Sequence, residues 1–287
     1  MKKIILLLTI VFSLCGEKLC PQVIKAPLNR AWDKIHTPNR KPIMWIYLRE
    51  ADMMWAKRVW RVMDLREKIN LPYYYPEQPV NDRKCLAQTL WDAVTIPDSP
   101  YKLTAYSDPD FTKPKTAQEI VKENSRIDSV TVKSKLNPDE DSVAAVPVEF
   151  AATDVKQFQI KEDWFFDRQR SVMEVRVLSI CPLVTKFTVD PATGEKVEKG
   201  KQPLFYIYFP DARPLLAVSE IFNFQNDAER RTYDDIFWKR LFGSYVVKEE
   251  NVYDRWVGDY CNPFDCLLEA DRVKNDIFKV EHDLWEF

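Results

Sequence analysis

Hydrophobic residues recur along this chain with two periods, one typical of helices and one typical of strands. Within residues 43–75, apolar positions at helical spacing are Trp55, Val59, Val62 and Met63. This spacing predicts a helix over about 50–66. The β-branched and aromatic side chains of residues 60–65 also favour a strand, which remains the alternative for this segment.

A second helix is predicted near residue 90. Asp82 can cap a segment in which Leu86, Leu90 and Val94 recur at four-residue intervals. A short strand over 101–106 is expected to follow.

The second half of the chain opens with strand patterns. Residues 171–180 alternate with period two, which gives one apolar and one mixed face. Residues 190–195 are turn formers between two extended runs, so a hairpin is expected there. The aromatic run at 204–209 predicts a further strand.

Two helices are predicted to close the chain. The first covers about 226–242, and the second begins at Asn262 and Pro263. The predicted buried stripe of the second consists of Cys266, Ala270, Val273, Ile277 and Val280. The predicted fold class is α+β, with a mixed sheet flanked by helices in the C-terminal unit and a smaller helix-containing N-terminal unit.

Composition divides the chain into segments. Residues 1–16 join two lysines to a short apolar run, which is typical of a secretory signal peptide. Residues 17–42 are basic and contain several prolines, so they predict an extended arm. Residues 107–150 are rich in charged and small polar side chains and read as a linker or long loop between an N-terminal unit at 43–106 and a C-terminal unit at 151–287. A helix capped by Thr116 and Glu119 is predicted inside this linker.

Overall composition excludes several function classes. The chain of 287 residues has a net charge of −2, so it lacks the basic footprint of a nucleic-acid-binding protein. It has only 5 Gly, and no glycine-rich phosphate loop occurs. We therefore expect no nucleotide cofactor, and the sparse cysteines and 2 His offer too few ligands for a zinc site.

Candidate chemistry is limited to the cysteines and the two histidines. Cys181 with His282 and Asp283 is a weak nucleophile–base combination, because no catalytic motif surrounds it. Cys261 and Cys266 are close enough in sequence to form a disulfide, and the alternative is that both stay reduced. The pattern favours a binding protein over an enzyme.

Charge is distributed unevenly between the two ends of the chain. Residues 25–70 hold eleven basic and five acidic side chains, whereas residues 249–287 hold four basic and eleven acidic ones. One subunit's basic segment can therefore meet a neighbour's acidic segment in a head-to-tail interface, and such an interface builds a ring if its rotation closes. The partner-contacting residues predicted on this basis are Trp55, Arg58, Trp60, Arg61 and Arg66.

Several colinear strings resemble the GldN/PorN family of gliding and type IX secretion proteins. The longest are KRVWRVMDLREKIN at 57–70 and RRTYDDIFWKR at 230–240. Shorter ones lie at 49–52, 90–93, 167–171, 180–183, 206–210 and 281–286. Together they run in order along nearly the whole chain after the signal segment.

The resemblance implies a periplasmic protein that is peripheral to the outer membrane and has no catalytic residues or cofactor. It also implies association with a GldK/PorK-like outer-membrane lipoprotein in a large ring, near GldL/GldM-like motor components. The expected function is a structural subunit of that ring, serving protein secretion and gliding motility. The alternatives are a periplasmic enzyme acting on the cell wall and a periplasmic chaperone.

Overall fold

The computed structural model describes residues 36–80, 83–124, 126–133, 141–148, 150–189, 196–224, 226 and 228–284. The predicted signal peptide and the predicted arm up to residue 35 lie outside these residues. The strands are β1 Met53–Asp64, β2 Ala105–Tyr106, β3 Pro114–Lys115, β4 Arg126–Lys133, β5 Asp141–Val148, β6 Val155–Asp167, β7 Val172–Val189, β8 Lys196–Pro203, β9 Tyr206–Tyr208 and β10 Tyr245–Glu249. The helices are α1 Leu71–Tyr74, α2 Leu86–Thr95, α3 Ala117–Asn124, α4 Phe209–Val218, α5 Tyr233–Trp238, α6 Val257–Tyr260 and α7 Cys266–Asp283.

One sheet organises the described part of the chain. Its strand order is β10-β1-β6-β7-β9-β2-β3, β8 pairs with β7, and β4 and β5 form a separate hairpin. The α+β class is therefore confirmed. Every pairing among the described strands is antiparallel, so the sheet is not the mixed sheet that we predicted.

The segment from Met53 to Asp64 is strand β1, and the predicted helix over 50–66 is wrong. β1 lies between β6 and β10 and pairs with both, which satisfies its backbone groups on each side. All residues from Val59 to Leu65 are buried, so both faces of the strand are covered. Burial on both faces hides the two-residue period, and the β-branched and aromatic content decides for the strand.

Strand β1 joins the two predicted units in one sheet. Its partners β6 and β10 both belong to the C-terminal unit at 151–287. The predicted linker at 107–150 also contains regular structure, namely β3, α3 and the β4–β5 hairpin. The capping box at the start of α3 is present, because the amide of Thr116 donates to Glu119 at 2.9 Å and the amide of Glu119 donates to the Thr116 hydroxyl at 3.4 Å.

The strands predicted in the second half are present with shifted ends. The alternation at 171–180 belongs to β7, which pairs with β6 and then with β8 as the predicted hairpin. The hairpin turn at 190–195 lies outside the described residues. The run at 204–209 gives only β9, because Phe209 already begins α4. The strand predicted at 101–106 is confined to β2, Ala105–Tyr106.

The helices confirm the predicted buried positions more closely than the predicted ends. Leu86, Leu90 and Val94 are all buried on α2, whose predicted cap Asp82 lies outside the described residues. The predicted helix at 226–242 is shortened to α5, because Thr232 caps the helix by accepting from the Asp235 amide at 3.4 Å. Arg240 then takes a left-handed backbone conformation with φ of 54°, which ends the helical run.

Helix α7 matches its predicted stripe. Ala270, Val273 and Ile277 are buried, whereas Cys266 and Val280 are half-buried. The carbonyl of Asn262 accepts from the amide of Cys266 at 3.1 Å, so the predicted start lies one turn before the helix proper. Within the described ranges, no helix is both long enough and apolar enough to cross a bilayer.

The two faces of the sheet are covered differently. Met63 lies in the main apolar core with residues of α2, α4 and α5, and Val59 packs against α7. By alternation along β1 these two residues share one face, and Trp60 lies on the other. There the Nζ atoms of Lys248 and Lys161 lie 4.7 and 5.6 Å from the centre of the Trp60 ring. On the second face, cation–aromatic contacts and buried polar groups surround Trp60.

Candidate interaction surface

Helix α7 buries only one of its apolar stripes. Its buried stripe forms a small cluster with Val59 of β1 and Val246 of β10. Other large apolar side chains in and just before the helix remain exposed to solvent: Phe264, Leu267, Leu268 and Phe278. Phe264 retains 92% of its accessible surface, so the fold of the described residues covers very little of it. Such exposure on a well-formed element is typical of a binding surface.

The loop after β10 exposes further apolar side chains on a rigid backbone. The Asn251 side chain accepts from the amides of Tyr253 and Arg255 at 3.1 Å each. Its amide group also donates to the carbonyls of Glu249 and Arg255 at 2.9 Å. These four bonds fix a loop whose tip residue, Val252, is 98% exposed. A loop built this firmly presents its apolar tip in one conformation, which lowers the entropy cost of binding.

Arg255 connects this loop to the aromatic residues that precede α7. Its guanidinium lies 4.4 Å from the ring centre of Tyr253 and 5.6 Å from that of Tyr260. We use the name C-terminal apolar surface for the exposed apolar side chains of this region: Val252, Tyr253, Trp256, Tyr260, Phe264, Leu267, Leu268 and Phe278. Aromatic residues with a neighbouring arginine are the composition that protein interfaces favour.

Ion pairs at the start of α7 fix the charge around this surface. The hydroxyl of Tyr260 donates to Glu269 at 3.1 Å, and partial burial together with this bond raises the pKa of Tyr260 to about 12. Arg272 donates to Glu269 at 2.8 Å and lowers the pKa of that carboxyl. Arg272 also contacts Asp276 at 2.9 Å. The apolar side chains are therefore bordered by charged groups that are held in ion pairs.

The two tryptophans of the predicted partner contact serve the fold of this chain. Trp60 is buried between Lys161 and Lys248, and Trp55 is half-buried against the cluster beneath α7. Neither ring is presented to solvent as a free anchor. Their role in a partner interface stays a prediction.

The three arginines of that predicted contact also have partners within the chain. Arg58 makes a two-bond pair with Asp163 at 2.7 and 2.9 Å, and this hydrogen bonding raises the pKa of Arg58. Arg61 is buried against Ser244, to which it donates two bonds of 2.9 Å, and burial lowers its pKa. Arg66 pairs with Asp64 at 2.6 Å but extends into solvent.

The basic and acidic ends of the sequence meet inside one molecule. Strand β1 of the basic segment pairs with β10, where the acidic segment begins. Lys57 and Glu249 form an ion pair of 2.7 Å across these strands. Some charges of the basic and acidic segments are therefore paired with each other within the chain. A head-to-tail contact between subunits stays a prediction.

Cys181 and His282, the nucleophile and base considered in the sequence, lie in different environments. Cys181 is fully buried in β7, where burial raises its pKa far above the ordinary value, whereas His282 is exposed near the end of α7. The structure does not bring the Cys181, His282 and Asp283 side chains together as a nucleophile–base site.

Cys261 and Cys266 are both free thiols, and the Cys266 sulfur lies 3.8 Å from the Cys261 carbonyl. The disulfide between them stays a prediction. In the described part of the chain, no group of three or more acidic, histidine or cysteine side chains could hold a metal ion.

The exposed residues in and just before α7 carry a signal in the sequence that our stripe analysis missed. Phe264, Leu267 and Phe278 lie outside the stripe of Cys266, Ala270 and Val273, yet they are as apolar as its members. A helix that needs only one buried stripe does not require them. This second apolar set could therefore have been recognised as surplus to folding.

A family model described as "Gliding motility associated protein GldN" matches residues 48–286. The matched range includes every strand and helix described above and the whole C-terminal apolar surface. It begins after the segment 36–47, which precedes β1. No curated protein matches the chain.

Proposed function

The chain belongs to the gliding motility associated protein GldN family, and from this premise we propose that it is a non-enzymatic structural subunit of the machine that drives gliding and type IX protein secretion. In this proposal the subunit lies in the periplasm, peripheral to the outer membrane, as part of a ring. A GldK/PorK-like outer-membrane lipoprotein holds it there, close to GldL/GldM-like motor components.

The C-terminal apolar surface carries this proposal. A protein that acts by assembly needs preformed apolar contacts, and this surface supplies them on an ordered helix and a rigid loop. Covering apolar surface contributes about 25 cal/mol per Å², so full burial of one Leu or Phe is worth about 1.5–3 kcal/mol. Several such residues provide enough free energy for a stable contact after the entropy cost of association.

The charged side chains favour the same interpretation. Several buried charged side chains are engaged in ion pairs inside the fold, such as Arg213 with Asp234 at 2.8 Å and Lys161 with Asp110 at 2.7 Å. Removing one partner of such a pair would leave a buried charge uncompensated, so these side chains serve the fold. The periplasmic location is supported by the signal-like pattern of residues 1–16.

Exchange of one exposed leucine tests the proposal. A tagged full-length chain carrying Leu268→Asp is produced in a gliding bacterium that lacks its own copy, and complexes are purified from gently solubilised envelopes. The matched control is Val121→Asp, because Val121 is also an exposed apolar residue on a helix but lies on α3. Loss of about 1.5–3 kcal/mol of contact corresponds to at least about tenfold weaker association.

We expect the Leu268 variant to recover at least about tenfold less lipoprotein than the unchanged chain, with gliding and secretion reduced. The Val121 variant is expected to behave like the unchanged chain. Equal recovery of the lipoprotein with both variants would contradict a role for the C-terminal apolar surface in assembly.

A further inference from the structure

The segment that precedes β1 is an extended arm that docks on the folded body. We define the arm as residues 36–49, which carry no strand or helix. Pro42, Trp45 and Leu48 are half-buried while the residues between them are exposed, a spacing of three that matches a polyproline II helix. The arm therefore touches the body through a few side chains at regular intervals.

Trp45 is the main anchor of the arm. Its ring centre lies 5.1 Å from the guanidinium carbon of Arg213 and 5.3 Å from that of Arg176. Arg176 also donates to the carbonyl of Ile46 at 2.7 Å. We use the name Trp45 socket for Arg176 and Arg213, which contact the Trp45 ring. A cavity of about 250 Å³ lies beside them, and Arg213, Trp238 and Arg240 line it together with Trp45 itself.

The socket is a preformed part of the body. Arg213 is buried and pairs with the equally buried Asp234 at 2.8 and 3.3 Å, so its guanidinium is fixed before the arm arrives. The same guanidinium carbon lies 5.3 Å from the centre of the Trp238 ring. A rigid arginine that contacts aromatic rings is a suitable receptor for a tryptophan side chain.

The arm itself is attached through side chains. Arg40 pairs with Asp235 at 2.5 Å and donates to the Arg230 carbonyl at 3.0 Å. Within the described residues, no backbone-to-backbone hydrogen bond joins 41–48 to the body. Release of the arm thus requires no sheet to be broken.

The docked arm also leaves much of its own apolar surface in water. Met44 is 82% and Tyr47 is 85% exposed, and Ile43 and Ile46 are exposed beside them. Docking within one chain half-buries Trp45 but leaves most of the side-chain surface of these neighbours exposed. A neighbouring subunit packed beside the arm would cover them and gain the corresponding free energy.

We propose that the Trp45 socket accepts the arm of a second copy of this chain, so that neighbouring subunits are joined by exchanged arms. Every copy carries both an arm and a socket, so each subunit inserts its arm into one neighbour and receives the arm of the other neighbour. This is a heterologous contact, which propagates into a ring when its rotation closes. The inference deepens the proposed assembly role and rests on its self-association.

Isotope-mixed cross-linking tests the exchange with the full chain. Lys41 follows Arg40, and Lys239 lies one helical turn after Asp235, so the two lysines flank the Arg40–Asp235 ion pair. Equal amounts of nitrogen-15-labelled and unlabelled chain are incubated together and treated with a lysine-specific cross-linker. Mass spectrometry then separates links within a molecule from links between molecules, and light scattering gives the mass of the particles.

Exchanged arms predict that about half of the Lys41–Lys239 links join a labelled to an unlabelled chain, as random pairing in an equal mixture requires. Trp45→Ala is expected to abolish these mixed links. The matched control is Trp91→Ala, because Trp91 is also half-buried, but it stacks on Phe150 at 3.9 Å away from the socket. The control is expected to keep the mixed links.

A complementation pair keeps the test independent of any one variant. A Trp45→Ala chain retains its socket, and an Arg176→Ala chain retains its arm. Mixed links in that pair are expected in one direction only, from the Arg176 variant's arm to the Trp45 variant's socket. Mixed links in both directions or in neither would overturn the proposal.

Two results separate this inference from the proposed function. Particles larger than a monomer with only same-isotope links would overturn arm exchange and leave self-association standing. Monomers with only same-isotope links would overturn arm exchange and also count against self-association of the isolated chain. Recovery of the lipoprotein from envelopes is measured separately and is affected by neither result.

Discussion

Glu162 and Arg240 form an ion pair whose disruption we expect to lower the stability of this fold, and replacing Arg240 with Met measures the cost of leaving Glu162 unpaired. The Glu162 side chain in the middle of β6 is 0% exposed. It accepts from the two terminal nitrogens of Arg240 at 3.1 and 3.0 Å and from the Trp164 indole at 3.3 Å. The pair connects the centre of the sheet to the residues that follow α5.

The expected magnitude follows from the different burial of the two partners. Removing one partner of a buried ion pair costs about 3–5 kcal/mol, because the remaining charge has lost its counter-ion and is shielded from water. Arg240 is 26% exposed, so water can reach part of the site in the variant and the lower end of that range applies. We therefore expect Arg240→Met to lower the free energy of unfolding by about 3 kcal/mol.

The double variant separates the free-energy cost of an unpaired buried charge from the cost of lost packing. Glu162→Gln with Arg240→Met removes both charges, and the new amide can still accept from Trp164. Its stability is expected to recover by about 1–2 kcal/mol relative to the single variant. The left-handed φ of 54° at residue 240 is the same in both variants, so backbone strain cancels in the comparison.

Urea unfolding followed by tryptophan fluorescence measures these differences. The matched control is Arg231→Met, because Arg231 pairs with Glu229 at 2.6 Å but both side chains are more than a third exposed. Exposed pairs contribute about 0–1 kcal/mol. The reasoning is refuted if Arg240→Met costs no more than Arg231→Met, or if the double variant is no more stable than the single one.

Three further predictions concern acid stability, the exposed surface and the cysteines. Hydrogen bonding from Arg66 holds the pKa of Asp64 well below its ordinary value of 3.8, so its contribution to stability is present above that pH and is lost as the pH falls through the folded-state pKa. Asp64→Asn should therefore flatten the acid limb of the unfolding free energy, which an acid titration at fixed urea measures. Phe264→Asp should change the free energy of unfolding by no more than about 0.5 kcal/mol, and a larger loss would show that this side chain serves the fold. Cys261 and Cys266 are free thiols in the structure, so both should be alkylated without reductant in chain isolated from an oxidising compartment, and a peptide that resists alkylation until it is reduced would instead establish the disulfide.

The sequence determines helix α7 because the relevant information is local. Its apolar stripe has one helical period, its start carries Asn262 and Pro263, and only one face is buried. Under those conditions the period of the pattern reports the structure directly. The same logic recovers the burial of α2 and the hairpin of β7 and β8.

Strand β1 could not be assigned from its period because its environment is set by distant residues. Its partners β6 and β10 lie about a hundred and nearly two hundred residues further on, and together they bury both of its faces. A segment buried on all sides has no period to read. Trp60 shows the consequence, since its place between Lys161 and Lys248 depends on three strands.

The binding features were only partly visible for a related reason. Arg58 and Arg61 look like surface charges in the sequence, but their partners Asp163 and Ser244 become neighbours only in the folded sheet. Trp45 likewise contacts Arg176 and Arg213, which lie far along the chain, so its role as an anchor is visible only in the fold. Charge and aromatic content predicted an assembling protein, whereas the location of its surfaces required the fold.

The most direct test of the assembly role is purification of the tagged, otherwise unchanged chain from gently solubilised envelopes of a gliding bacterium. Mass spectrometry identifies what is recovered, and negative-stain imaging shows its shape. We predict annular particles that contain this chain together with one outer-membrane lipoprotein. Recovery of the chain as a monomer without a lipoprotein would contradict the proposed function.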